Sequence, residues 1–150
     1  MNNIIIRQAQ ESDIGAILTL YAQPEVDNGK VPTMEMALEI FNKMSQYPNY
    51  KLYVAQANDT IMGTFALLIM DNIAHMGALS GVIEDVAVDP SCQGYGIGTQ
   101  MMRFAIESCK EHGCYKVALS SNLKRKNAHD FYESLGFKKH GYSFYIDLIK

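Results

Sequence analysis

The chain has 150 residues, 48% of them apolar and 19% charged, with a formal net charge of −3; that is enough apolar chain for one folded domain, and it excludes a disordered polypeptide. The longest apolar run, Phe65-Ala-Leu-Leu-Ile-Met70, falls far below the roughly 18 residues of a membrane span, and the acidic balance lacks the basic footprint of a nucleic-acid binder. No basic-then-apolar leader opens the sequence, and Cys92, Cys109 and Cys114 lack disulfide or zinc spacing, so a reduced, cytoplasmic protein without a metal site is expected.

Ile4-Ile-Ile-Arg7-Gln8 reads as a first strand, and after Ser12 as a cap the apolar set Ile14, Ile17, Leu18 and Tyr21 has helical spacing. Residues 24–32, with Asp27-Asn28-Gly29, form a loop. Thr33 caps a second predicted helix whose inward face is Met34, Leu38, Phe41 and Met44 or Ser45, with Pro48 ending it. Leu52-Tyr-Val-Ala-Gln56 and the run from Thr60 to Met70, joined by Ala57-Asn58-Asp59, read as a hairpin. The stretch from Asp71 to Ser80 is less regular, a surface loop or a flap in which His75 and Met76 reach a site. A strand from Val82 to Val88 follows. Ile97, Met101, Phe104, Ala105 and Cys109 then repeat at helical spacing, with Gln100, Arg103, Glu107 and Lys110 on the other side. A short strand over residues 116–120 and a helix carrying Ala128, Phe131, Tyr132 and Leu135, closed by Gly136, come next. Phe137-Lys138 and the stretch from Tyr142 to Leu148 are expected to complete the sheet. With no repeat or linker, the expectation is a single domain over residues 1–150, α/β or α+β, built on a mixed, largely antiparallel sheet.

The segment from Val82 through Gly98 concentrates the chemistry. A strand carrying the acidic pair Glu84-Asp85 feeds the turn Gln93-Gly94-Tyr95-Gly96-Ile97-Gly98, which opens directly into a helix. Glycines let the backbone approach a ligand, and the free N–H groups of a helix's first turn favour an anion. The spacing is not the dinucleotide fingerprint, because Thr99 stands where its third glycine would be. Nor is it a P-loop, because Thr99-Gln100 follows the last glycine in place of Lys-Ser/Thr.

The Q-x-x-G-x-G turn, the opening Ile6-Arg7-x-Ala9-x-x-x-Asp13, the strand end Val86-Ala87-Val88-Asp89-Pro90 and Ala128-His-Asp-Phe131-Tyr132-Glu-Ser-Leu-Gly136-Phe137 occur in that order. Together they resemble the GNAT superfamily of acetyl-CoA-dependent N-acetyltransferases. The resemblance implies that fold, with six to seven strands flanked by about four helices, and acetyl-CoA as co-substrate without a metal. It implies that the backbone amides of Gln93, Gly94, Tyr95, Gly96, Ile97, Gly98 and Thr99 hold the pyrophosphate, and that Val86, Ala87 and Val88 pair with the pantetheine arm as an added strand would. Tyr132 would protonate the departing thiolate. Glu84 would accept the amine's proton through water, and alternation along the strand puts Asp85 on the opposite face, to orient the acceptor. The Ile-Glu-Asp placement resembles the diamine and glucosamine-6-phosphate branches, and the stretch from Leu119 to Tyr132 resembles aminoalkylphosphonate acetyltransferases. One departure stands out: Arg125 occupies a place where the family has Asn, and Asn127 either caps the helix or substitutes in the cofactor contact. Lys124-Arg125-Lys126 is a solvated charge run or a contact to the cofactor's 3′-phosphate. The expected partner is a small-molecule amine, with no nucleic acid and no membrane. Dimers are frequent among similar proteins, so a homodimer is part of what the likeness implies. Two rival readings stay open: a module that binds acyl-CoA without turnover, and an acetyltransferase of protein amino groups.

Overall fold

A computed structural model describes residues 3–149. The chain forms two compact units, Met1–Ala118 and Leu119–Lys150. The first holds a five-stranded sheet in the order β1-β2-β3-β4-β5, made of β1 (Ile5–Gln8), β2 (Tyr50–Ala57), β3 (Thr60–Met70), β4 (Leu79–Val88) and β5 (Cys114–Ala118). The first three pairings are antiparallel, while β4 and β5 run parallel. Three helices belong to this unit: α1 (Ile14–Tyr21), α2 (Met34–Met44) and α3 (Ile97–Glu111). The second unit holds α4 (Lys126–Ser134). Among the described residues, no helix is long and apolar enough to cross a membrane.

Period-two alternation along β2 sorts the core into two layers. Leu52 and Val54 pack with Ile14, Ile17, Ala37 and Ala66, and with the partly buried Leu18, Tyr21, Leu38 and Phe41 from α1 and α2. Tyr53 instead stacks on Phe65 at 5.2 Å and meets Phe104 of α3 at 5.1 Å. The β2–β3 hairpin turns on Asn58 and Asp59, both with positive φ (49° and 65°), the geometry that lets a two-residue turn match the strands' twist. Gly81 exists for α3: a Cβ there would stand 2.3 Å from the Cys109 sulfur.

Several expectations are corrected. Ser12 does not cap α1. It lies inside a 3-10 turn, Glu11–Asp13, and the group that organises this corner is Asp13, whose carboxylate accepts from Arg7 at 2.7 and 2.9 Å and from the Gln10 amide at 2.7 Å. Leu20 is buried on α1, whereas Leu18 and Tyr21 are only half-buried. The expected cap on α2 holds, with Thr33 Oγ1 accepting from the Met36 amide at 3.2 Å, but Met34 is exposed and Ala37 supplies the buried contact. The irregular segment is shorter than expected, since β4 begins at Leu79. The turn before it is closed by the Asn72 side chain, which donates to the Ala78 carbonyl at 2.8 Å.

Among the described residues the sheet has five strands and not six or seven. Phe137-Lys138 and the stretch from Tyr142 to Leu148, expected to complete it, lie in no strand, and Tyr142, Phe144, Ile146 and Leu148 are 84–90% exposed. Their alternation is that of a strand.

Candidate functional site

Strand β4 changes character halfway along. From Leu79 to Val82 it lies between β3 and β5, but β5 ends at Ala118, opposite Val82, while β4 continues to Val88. Beyond Val82 one edge of β4 therefore has no strand neighbour among the described residues, and such an edge carries backbone donors and acceptors that no ladder uses. On the β3 side the register shifts between Thr64 and Ala66, so that Asp85 and Val86 together face Phe65. This is a β-bulge, and Asp85 takes the left-handed conformation (φ 54°) that the extra residue requires. Aspartate tolerates that conformation better than most non-glycine residues do.

The bulge overturns the expected division of Glu84 and Asp85 between opposite faces. Strict alternation fails where one residue is inserted, and both Glu84 and Asp85 are exposed as residues. Both also raise the pKa of a single phenol, Tyr50 on β2, after the larger effect of its burial. Desolvation pushes the pKa of Glu84 up, aided by the Asp85 charge, and desolvation pushes Asp85 up, aided by Asp27. Tyr21, at the end of α1, is raised chiefly by burial and then by Asp85, against an opposing pull from the Thr64 hydroxyl. Among the described residues, no Lys, Arg or His charge contributes to the shifts of these four groups.

Asp27, Tyr21 and Tyr50 join the site without a signal in the sequence. Asp27 belongs to a loop and Tyr21 to an apolar helix face, and nothing local marks them as groups that interact with Asp85. The loop that carries Asp27 is tightly built. The Asp27 amide donates to Tyr21 O at 2.9 Å, the Gly29 amide to Ala22 O at 2.8 Å, and the Gln23 side chain donates to Leu20 O at 2.7 Å and to Val88 O at 3.2 Å. Gln23 thus fastens the loop to the end of β4.

After Val88 the chain turns through Asp89, whose carboxylate accepts from the Ser91 amide at 2.9 Å, and reaches Gln93, Gly94, Tyr95 and Gly96, all exposed. Gly94 (φ 89°) and Gly96 (φ 81°) are left-handed, and a Cβ at either would meet nothing within 4 Å. Backbone conformation and open space, not packing, call for glycine there. Gly98 differs, because it lies inside the first turn of α3. The Gly96 cap supplies no side-chain hydrogen bond and no acidic residue sits in the first turn, so no side chain of the helix start answers its first amides or its positive dipole end. Ile97 is 1% exposed and spends its side chain on the core, so its amide is what it offers there, like those of Gly98 and Thr99.

In the second unit, Tyr132 is buried on α4, in ring contact with Phe131 at 5.3 Å and edge-on to Phe137 at 5.8 Å. Burial raises its pKa, and the Arg125 charge pulls the other way. Arg125 occupies the cap position of α4 without a side-chain cap, whereas Asn127 is an exposed residue of the first turn and caps nothing. His129 Nε2 lies 2.8 Å from Asn122 O, tying the preceding loop to the helix. His75 stacks on Tyr115 at 4.5 Å and Met76 is fully exposed, so that segment is a surface loop. Among the described residues, no three His, Cys, Asp or Glu side chains are grouped to hold a metal ion.

The sequence profile of the Acetyltransferase (GNAT) family matches residues 10–137. A glucosamine 6-phosphate N-acetyltransferase of Trypanosoma brucei brucei is 38% identical over 98 residues, 65% of this chain and 65% of that protein. An aminoalkylphosphonate N-acetyltransferase of Salmonella typhimurium is 31% identical over 97 residues, 65% of this chain and 62% of that protein. The matches thus span somewhat less than two thirds of those curated relatives. Among solved structures, a transcriptional regulator from Bacillus halodurans C-125 superimposes with a TM-score of 0.90 at 26% identity, covering 97% of this chain and 100% of that one.

Proposed function

The chain belongs to the GNAT acetyltransferase family, and from that membership we propose that it moves an acetyl group from acetyl-CoA to the amino group of a small cationic molecule, by direct transfer while both are bound. One observation carries the reading. Strand β4 loses its neighbour after Val82, presents Glu84 and Asp85 at a bulge, and leads into an uncapped helix start. Thioester, acceptor and diphosphate sites therefore follow one another along a single stretch of chain.

In this proposal the amides of Gln93 through Thr99 receive the diphosphate, and the free edge at Val86, Ala87 and Val88 pairs with the amide groups of the pantetheine arm. A main-chain N–H near Val86 stabilises the oxyanion of the tetrahedral intermediate. Glu84 takes the proton from the incoming ammonium, through water, and its raised pKa brings it nearer to that task than an unperturbed carboxylate would be. Asp85, with Asp27 behind it, draws the cationic acceptor in. Tyr132 supplies the proton to the leaving thiolate, a role that rests on the family likeness alone. The family match runs through both units, which supports treating residues 1–150 as one working domain.

Both curated relatives are named for acceptors that carry a phosphate or phosphonate. Two acids, Glu84 and Asp85, and two phenols, Tyr21 and Tyr50, none of them shifted by a basic group, favour an acceptor that lacks a phosphate. The test is thiol release from acetyl-CoA with a panel of diamines, polyamines, aminosugar phosphates, aminoalkylphosphonates and peptides. Release is expected with the cationic amines. Release confined to phosphorylated acceptors or peptides overturns the acceptor class, and tight coenzyme binding with no release for any amine establishes a binding module instead. Tyr132→Phe is expected to lower kcat well beyond any change in coenzyme affinity, and equal turnover removes Tyr132 as the acid.

A further inference from the structure

Cys109 and Cys114 lie on different elements, in the last turn of α3 and at the first position of β5. The helix ends on Gly113, whose left-handed backbone (φ 80°) and amide bond to Lys110 O at 3.0 Å turn the chain back into the sheet. The register then puts both sulfurs on one face. Cys114 stands opposite Leu79, and Val117 opposite Gly81. The extra residue of the register shift between these pairs is Tyr115, on β5, so alternation along β4 runs unbroken and Leu79 shares a face with Gly81. That face lies under α3, because a Cβ at Gly81 would overlap the Cys109 sulfur and would touch Val117. Cys114 therefore starts about 7 Å along the sheet and about 5 Å across it from the place where the Cys109 sulfur rests. Burial, and then the charge and hydrogen bond of the Cys114 thiol, hold the Cys109 pKa well above the ordinary thiol value. Both are free thiols, Cys109 buried and Cys114 half-buried.

We propose that Cys109 and Cys114 are a dithiol modification site, which a low-molecular-weight disulfide converts reversibly into an intramolecular disulfide that ties the end of α3 to the start of β5. The reaction starts at Cys114, the less buried sulfur. Its thiolate attacks one sulfur of the small disulfide, a mixed disulfide forms on Cys114, and the first small thiolate leaves and takes up a proton. Cys109 then gives its proton to water and attacks the Cys114 sulfur. The second small thiolate leaves and is protonated, and the bond between Cys109 and Cys114 remains. Two protein thiols are oxidised, and one small disulfide is reduced to two thiols. Capping Cys114 removes its charge, one of the causes that keep Cys109 protonated, so the first step eases the second. Attack within one chain needs no second encounter. Cys92 is the internal control: it lies beyond the far end of β4, where its sulfur meets the Ser91 hydroxyl at 3.6 Å.

The test is to incubate the fully reduced chain with oxidised glutathione at neutral pH, quench with acid, alkylate the remaining thiols and map the peptides by mass spectrometry. The expected product is lighter by two hydrogens and links Cys109 to Cys114. Of the three thiols, only Cys92 is left to alkylate, and reduction restores the starting chain. Cys109→Ser is expected to stop at a stable glutathione adduct on Cys114, and Cys114→Ser to stay unmodified. Should the variants not fold, the map of the wild-type chain decides alone. A chain that keeps all three thiols overturns the proposal. So does a glutathione adduct on Cys114 that never resolves, or a disulfide that joins two copies or involves Cys92. Hydrogen exchange of the oxidised chain is expected to keep the native pattern in β2 and β3. The pattern of an unfolded chain overturns the proposal as well, because the bond would then form only outside the fold. None of these readouts involves acetyl-CoA, so failure here leaves the transferase reading untouched.

Discussion

Asp13 and Asp85 are both aspartates of the first unit, and the fold treats them in opposite ways. Asp13 is buried at the corner between β1 and α1, bonded twice by Arg7, which also donates to Gln56 at 2.8 Å, and the Arg7 hydrogen bonds hold its pKa below the ordinary carboxylate value. Asp85 stands at a bulge, in left-handed backbone, with like charge behind it and a raised pKa. The first carboxylate has its bonds satisfied within the fold. The second keeps its capacity for a visitor. The helix starts repeat the contrast: α2 is closed by the Thr33 side chain with Glu35 in its first turn, while α3 begins on bare glycine. What separates a structural polar group from one kept for a ligand is whether its partners are already inside the chain.

The largest effect that tests this contrast is expected at Glu84. Glu84→Gln should lower turnover by on the order of 100-fold or more near neutral pH, with recovery at higher pH as free amine accumulates; a defect that ignores pH breaks the base assignment. Asp13→Asn should leave turnover of the folded enzyme alone and cost about 2–3 kcal/mol of stability, a fall in Tm of about 5–10 °C for a chain of this size. A loss of activity without loss of stability would reverse the roles of the two sites.

The pH dependence sharpens the comparison. Because Asp13 has a lowered pKa in the fold, its contribution is fully present above its unfolded value, near ~3.9, and disappears as pH falls through the folded one. Glu84 and Asp85 run the other way. Their raised values mean that stability is lost as pH climbs from their unfolded values through the folded ones. Denaturation curves against pH should show the acid limb flattened in Asp13→Asn. In Asp85→Asn the decline above the ordinary carboxylate range should be reduced, giving a slightly higher Tm at neutral pH together with weaker use of cationic acceptors, the exchange of stability for function expected at a ligand site. The smallest effect is expected at the satisfied helix start, where Thr33→Ala should cost about 1 kcal/mol and leave coenzyme affinity unchanged in a calorimetric titration.

Features that depend on near neighbours along the chain are legible in the sequence. The helical face of Ile97, Met101, Ala105 and Cys109 is buried as its spacing requires, though Met102, equally buried, lies outside that pattern. The Asn58-Asp59 turn, the Thr33 cap and the left-handed Gly94 and Gly96 follow from what single residues tolerate at φ. The order of four short motifs is enough to point to the family. The stretch from Tyr142 to Leu148 is half legible: its alternation marks a strand, but alternation names no partner.

Residue chemistry and short-range spacing therefore determined most of the helices and strands, the glycine turn before α3 and the family of this protein, because helix periodicity and turn geometry are settled within a few residues. Only the tertiary structure decided that a bulge falls at Asp85, that the charges of both acids reach Tyr50 on a strand distant in sequence, and that β4 runs on past the end of β5. Each of these depends on the register between strands distant in sequence. A single inserted residue at a bulge redirects every side chain after it, and no local preference records where that insertion falls.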